Sequence, residues 1–241
     1  MRTVTVGEFS LEIPDGTAGE NAIRMARPIL VGDEYRLLDI RRDGHWPVYF
    51  VDVGAYVGAF SLRVADLFPG ATVLAFEPDQ ASIACFRTNL RGARADVRLY
   101  DKAVIGEGSP GTRPFRVVPD EPSGNHLLPH DSVKWMYPTE LRDKTVEVDT
   151  VRLTDILAAE HFPRIDLLKL DCEGEEGVIL EDLANAGWLR ATRWVRFEWH
   201  GRDNIDRCTK ALAPTHVVWT QTSPQINGFG LAHSRKDARS A

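Results

Sequence analysis

The stretch Val48-Tyr-Phe-Val-Asp-Val-Gly-Ala-Tyr-Val-Gly58, with Phe76-Glu-Pro-Asp79 downstream, decides how this chain reads. An apolar run ends in Asp52, breaks at Gly54 and Gly58, then continues as Phe60, Val64 and Leu67 at helical spacing. Phe68-Pro69-Gly70 stops that helix, and a second apolar run, Ala71 to Phe76, ends in Glu77. Strand, glycine turn, helix, strand and acid is the order in which an open α/β sheet holds a nucleoside-bearing ligand beyond its strand ends.

Outward from this centre the alternation continues. A helix over 79–91 carries Ile83, Phe86 and Leu90 on one face, and Val97–Tyr100 reads as a third strand. Past a long aperiodic segment, 105–148, come a helix over 152–160, strand Ile165–Leu170, a helix over 175–186, strand Arg193–Trp199 and a helix over 203–212. His216–Thr220 and Phe229–His233 are expected to pair as an antiparallel hairpin at the sheet edge. The aperiodic segment holds two short strands, Pro114–Val118 and Thr145–Val148, and its length suits a binding loop. Ahead of Val48 the pattern predicts a hairpin (Thr3–Val6, Phe9–Ile13), a helix from Gly19 to Ile29, and a strand Tyr35–Ile40 closed by Arg42-Asp43-Gly44. The expectation is one α/β domain over 1–241: an N-terminal extension (1–47), a core (48–233) with an acceptor-side insertion (105–148), and a polar tail (234–241). Its sheet is mostly parallel, with helices on both faces.

Composition narrows the function classes. The 241 residues are 43% hydrophobic, enough for a packed core, and the net charge is −6. An acidic balance argues against a nucleic-acid surface. No apolar run approaches the ~18 residues that membrane insertion requires, and Met1 to Gly7 lacks the apolar stretch of a signal peptide. Three scattered cysteines, Cys85, Cys172 and Cys208, form neither a disulfide framework nor a metal motif. A soluble, cytoplasmic chain is the expectation, with a homodimer left open.

Five acids, Asp52, Glu77, Asp101, Asp171 and Glu198, fall at or just past successive strand ends. Gly54 lets backbone approach a ligand, and Gly58 lets the next helix pack close to its strand. Glu77 can accept both hydroxyls of a ribose. A dinucleotide fingerprint needs a glycine where Tyr56 stands, so the pattern is G-x-x-x-G and a pyrophosphate is disfavoured. S-adenosyl-L-methionine has no pyrophosphate, and Asp52 suits its cationic methionine end. The cofactor contacts are expected from Asp52, Gly54, Ala55, Tyr56, Gly58, Glu77, Pro78, Asp101, Ala103 and Asp171.

With these residues placed, the chain resembles the FkbM family of S-adenosylmethionine-dependent methyltransferases over about residues 45–220. The resemblance rests on Val51 to Ser61, Phe76 to Asp79, Asp101-Lys-Ala-Val104, Phe197-Glu-Trp-His200, and above all Leu168-Lys-Leu-Asp-Cys-Glu-Gly-Glu-Glu176. The chain departs at Tyr56, where the family usually carries Asn. The resemblance implies a seven-stranded Rossmann-like class I methyltransferase fold and O-methylation of a sugar, glycoside or polyketide-type secondary metabolite. It also implies that Asp52, Gly54 and Gly58 surround the methionine part, that Glu77 holds the ribose, that Asp101 and Ala103 lie at the adenine edge, and that Asp171 lies at the methyl-transfer end.

Methyl transfer to a hydroxyl needs positioning and loss of a proton, to a base or through a metal that acidifies it. His200 is the expected base, oriented by Glu198 on the same strand face; Asp171, Glu198 and His200 could instead hold a divalent cation, which is less favoured. Glu175 and Glu176 are expected to support a helix N-terminus and face water. Cys172 reads as a small buried residue; Trp194 and Trp199 could line the pocket, with core packing the favoured reading for Trp194. The loop with His126 and His130, near Trp135 and Tyr137, either closes over a hydroxylated small-molecule acceptor or is an ordinary exposed loop. Two other readings stay open: an N-methyltransferase acting on a natural-product amine, and a cofactor-binding homologue without transfer.

Overall fold

The computed structural model describes residues 1–42, 44–128, 144–222 and 227–236. The chain opens with a hairpin of β1 (Arg2–Val6) and β2 (Phe9–Ile13), then α1 (Gly16–Leu30) and the short α2 (Leu37–Arg42). The alternating core follows: β3 (Tyr49–Val53), α3 (Ala59–Leu67), β4 (Thr72–Phe76), α4 (Gln80–Asn89) and β5 (Asp96–Tyr100). Next come β6 (Ala103–Ile105), β7 (Thr112–Val117), β8 (His126–Leu127) and β9 (Lys144–Arg152), which make a second, four-stranded sheet. The chain returns to the core with α5 (Leu153–Ala159), β10 (Ile165–Leu170), α6 (Glu176–Asn185), β11 (Thr192–His200), α7 (Arg202–Leu212), β12 (His216–Thr222) and β13 (Asn227–Ser234).

The main sheet has seven strands in the order β12-β13-β11-β10-β3-β4-β5. Pairings from β11 through β10, β3 and β4 to β5 are parallel, whereas β13 is antiparallel to both β11 and β12. The sheet is therefore mixed, and its antiparallel strand is not at the edge. β13 inserts between β11 and β12, because its full-length pairing with β11 (Trp194 opposite His233 through His200 opposite Asn227) closes that side of the core.

Period-2 alternation sends the central strands into two cores. Val51, Val53, Leu168, Leu170, Val195 and Phe197 meet Leu157 of α5, Ile179 and Leu183 of α6, and Leu212 of α7. Phe50, Val73, Leu167 and Trp194 point the other way, onto Leu37 and Ile40 of α2 and Phe60, Val64 and Leu67 of α3. A sheet buried on both faces needs nearly continuous apolar strands, as these are. Trp194 is core, and Trp199 packs into the first cluster.

One predicted element changes type. The segment 35–40 is not a strand; α2 begins at Leu37 because the Asp33 carboxylate accepts the amides of Leu37 and Leu38 and caps the first turn. Leu37 and Ile40 then share a buried face at helical spacing. Asp43, of the expected turn, lies outside the described residues. So do His130, Trp135 and Tyr137. Among the described residues no helix is long and apolar enough to cross a membrane.

Candidate active site

The carboxyl ends of the parallel strands meet in one place. Gly54 and Ala55 both donate their amides to Phe76 O, at 3.1 and 3.0 Å, and the Asp171 amide reaches Val53 O at 3.1 Å. Past these tips lies a cleft of about 1130 Å³, its open mouth included. Val53, Phe76, Pro78, Ala103 and Val104 supply apolar wall, and Gly54, Ala55 and Tyr56 supply the turn. Among the described residues the cleft is lined by Glu34, Glu77, Asp171, Glu173, Glu175 and Glu198 against one cation, Lys169.

The glycines act on the protein before they act on any ligand. Gly54 has φ +76°, and a Cβ there would lie 1.7 Å from the Asp171 carbonyl oxygen. What the missing side chain admits is the neighbouring strand's backbone, although Gly54 also lines the cleft. Gly58 does not line it: at φ +89°, a Cβ would strike Leu90 and Phe86 of α4. Its expected place among the cofactor contacts is corrected to helix packing. Tyr56 is left-handed as well, at φ +49°. Its amide donates to Glu77 at 2.8 Å and its hydroxyl to Asn21 of α1 at 3.1 Å.

Two more expected contacts move. Asp52 is fully buried at 0% exposure and lies behind the wall, accepting from Ser61 Oγ at 2.7 Å and facing Lys169 Nζ at 3.3 Å. It neutralises Lys169, which in turn donates to the carbonyls of Gly54 (2.5 Å) and Val53 (3.2 Å). Burial disfavours the Lys169 ammonium, yet Asp52 and Asp171 outweigh it and raise its pKa. Asp101 pairs with Arg87 of α4 at 2.7 Å and faces a separate depression beside Gln80 and Lys144. A side chain after β5 finds the nearer arginine before it finds the cleft.

Glu77, Pro78, Ala103 and Asp171 do line the cleft. Each Glu77 oxygen accepts one backbone amide, from Tyr56 and Asp79, which leaves acceptor capacity on both. Burial pushes the Glu77 carboxyl up to about 7. At the far end Asp171 accepts from the Tyr35 hydroxyl at 3.2 Å, and the backbone of Tyr35 is held by the buried Arg196 guanidinium at 3.0 Å. Burial first, and then the charge of Asp171, holds the Glu198 carboxyl well above the usual carboxylate range.

His200 is not the free base the strand pattern suggests. It is 1% exposed and off the cleft wall, with Nδ1 3.2 Å from Glu176 and Nε2 3.3 Å from Glu173; Glu198 is 4.0 Å away. Burial lowers its pKa, but Glu173, Glu176 and Glu198 outweigh burial and raise it well above the ordinary range. Both ring nitrogens face carboxylates rather than the open cleft, so the ring is not placed to take a proton from an acceptor. Glu176, expected in water, has no exposure at all: it accepts the amides of Cys172 and Gly174, and His200 holds it ionised at about 2 against the cost of burial. Glu173, left-handed at φ +58°, lines the cleft, and burial pushes it up to about 8. Cys172 lines the cleft with a thiol pushed well up, first by burial and then by Glu176, which leaves it inert.

Sequence reasoning missed Tyr35, Glu34 and the roof. α1 contributes Met25, Ala26 and Ile29, and the segment after β7 contributes Pro122, Ser123, Asn125 and Leu127. They are clasped by Asn21 to Ser123 (3.1 Å) and Arg24 to Glu121 (2.8 Å). His126 is buried and bonds Gly124 O. The amphipathic spacing of α1 was the available signal, but nothing local says which surface its apolar face covers.

A mixed seven-stranded sheet with an acid-lined cleft past its strand tips defines a methyltransferase-type α/β protein. The model of the methyltransferase FkbM domain matches residues 52–221, and the chain belongs to this family of methyltransferases. It is 34% identical over 199 residues to the 31-O-demethyl-FK506 methyltransferase FkbM of Streptomyces tacrolimicus, covering 73% of this chain and 75% of that one. It is 28% identical over 201 residues to Methyltransferase 1 of Beauveria bassiana (strain ARSEF 2860), covering 78% and 75%. Methyltransferase sdnD of Sordaria araneosa is 30% identical over 164 residues, 58% of this chain and 62% of that one, less than two thirds of that relative's length.

Membership implies S-adenosylmethionine, and the donor set fits it. Glu77 keeps acceptors for a ribose diol, the apolar strand tips offer a face to adenine, and six acids against Lys169 suit a cation. The same excess of acid would repel a pyrophosphate.

Proposed function

We propose that this chain is a cytoplasmic, S-adenosylmethionine-dependent O-methyltransferase with a Rossmann-like sheet. Its acceptor is a hydroxyl of a small sugar, glycoside or polyketide-type secondary metabolite. The observation that carries this reading is the division of one cleft. Glu77 and the apolar strand tips form one end, and Tyr35, Asp171, Glu173 and Glu198 form the other.

When bound, S-adenosylmethionine supplies an activated methyl group on a positively charged sulfur. Glu77 would accept the ribose hydroxyls, and Pro78, Ala103 and Val104 would flank the base. The acidic end favours positive charge near Asp171 and Glu198. An aliphatic hydroxyl is a poor nucleophile at neutral pH and must shed its proton as it attacks. Asp171, Glu173 and Glu198 surround the place where that proton leaves. Met25, Ile29, Phe115 and Leu127 offer apolar contact to the body of the acceptor and exclude water. A relative named for O-demethyl-FK506 supports a hydroxyl acceptor. The three cysteines are free, which suits a reducing compartment.

Calorimetry with S-adenosylmethionine and S-adenosylhomocysteine tests the first half: failure of both to bind would sink the reading. Turnover against hydroxylated glycosides and polyketides, followed by mass, tests the second. Methylation confined to amines would replace O-transfer by N-transfer.

A further inference from the structure

We propose that Asp171, Glu198 and His200 form a divalent-cation site at the acceptor end of the cleft. A part for that cation in methyl transfer would rest on the reading above; the cation site itself does not.

One ligand-type atom from each of Asp171, Glu198 and His200 lies within 4.8 Å of the others. His200 Nε2 and Glu198 Oε1 are 4.0 Å apart. Opposite ligands of a small octahedral cation stand about 4.2 Å apart and neighbouring ones about 3 Å, so closing this set takes side-chain shifts of about an ångström.

The ring is set up as a ligand. Its Nδ1 faces Glu176 at 3.2 Å, and Glu176 is fully buried and anchored by the amides of Cys172 and Gly174. A metal-bound histidine commonly donates its other N–H to a carboxylate in this way, which aims the free nitrogen. Here that nitrogen, Nε2, points toward the carboxyls of the cleft.

A further observation comes from beside the three ligands. Glu173 is 8% exposed, lines the cleft, and has an Oε2 that accepts no hydrogen bond and faces His200 Nε2 at 3.3 Å. A buried carboxylate oxygen that accepts no hydrogen bond beside a candidate ligand nitrogen suits a cation between them.

Binding would exchange the Nε2 proton of His200 for the cation. An acceptor hydroxyl that joined as a further ligand would become more acidic. Two carboxylates with one imidazole suit Mn²⁺ or a similar ion.

The test uses the full chain stripped of metal, titrated with Mn²⁺, with free ion read by electron paramagnetic resonance. One Mn²⁺ per chain is expected, with affinity lowered at least tenfold in Asp171→Asn and in Glu198→Gln. Glu181→Gln, on the far side of α6, should leave binding unchanged. Thermal unfolding of each variant checks that it is folded, and Glu198→Gln, at the half-open wall, is the substitution least exposed to misfolding. No saturable Mn²⁺ site, or one indifferent to both Asp171→Asn and Glu198→Gln, would overturn the proposal. Cofactor calorimetry on the same stripped chain separates the failures: binding of S-adenosylmethionine without any Mn²⁺ site leaves the transferase reading standing alone.

Discussion

Two turns face each other across the centre of the sheet, and they are built by opposite means. The turn after β3, residues 54–58, takes its left-handed conformations mainly from glycine, at φ +76° and +89°. The turn after β10, residues 171–176, is left-handed at Glu173 and Gly174, and side chains from elsewhere hold it. Glu176 caps its amides, His200 of β11 fixes Glu176, and Asn204 of α7 donates to Gly174 O at 2.6 Å. The first turn is a local statement of backbone freedom. The second is an agreement among three elements.

The two turns touch where Gly54 meets the Asp171 carbonyl, so Gly54→Ala is the most damaging way to break the pair. A Cβ 1.7 Å from a backbone oxygen, at positive φ, leaves no tolerated geometry. We expect a loss of at least about 4 kcal/mol in urea unfolding. A loss below 1 kcal/mol would mean that the turns do not abut.

Glu176→Gln attacks the second turn alone. It leaves the His200 charge with a weaker buried partner and should cost about 3 kcal/mol. The matched change in the first turn, Tyr56→Phe, removes one hydroxyl bond to Asn21 and should cost only about 1 kcal/mol. Equal losses from the two would erase the distinction between a locally and a globally held turn.

Stability against pH sharpens the contrast further. Glu77, beside the first turn, is raised from 4.5 to about 7, and Glu173, in the second, from 4.5 to about 8. The folded chain keeps protons there that the unfolded chain releases. Their contribution is therefore complete below pH 4.5 and is lost as pH rises through 7 to 8. Glu176, lowered to about 2, contributes above pH 4.5 and is lost as pH falls through 2. Urea midpoints from pH 4 to 9 should fall toward the alkaline end, and Glu77→Gln should flatten part of that fall. A midpoint that climbs steadily over this range would contradict the burial of Glu77 and Glu173.

How much was legible follows the same line. Gly54, Glu77 and Pro78 could be placed beside the cleft because a strand, a turn and the next strand lie close in sequence and read by short-range rules. Asp52 and Asp101 also end strands, yet one is taken by Lys169 of β10 and the other by Arg87 of α4. Strand-end position predicts the rim of a cleft, not which side chain a neighbour has already paired. Glu176 reads as a solvent-facing helix residue until β11 brings His200 against it. Tyr35 opens a segment that reads as a strand closed by a turn, and the Asp33 cap, which needs only two amides, makes it the approach to a helix.

By itself the sequence determined the alternating order, the glycine turn, the acids at the strand tips and hence the family, since periodicity and positive φ are properties of adjacent residues. Only the tertiary structure decided that β13 lies inside the sheet rather than at its edge, that α1 roofs the cleft, and that His200 is clamped between carboxylates. Those outcomes depend on which charges and amides become neighbours when β3, β10 and β11 pair, and pairing in space is invisible to spacing along the chain.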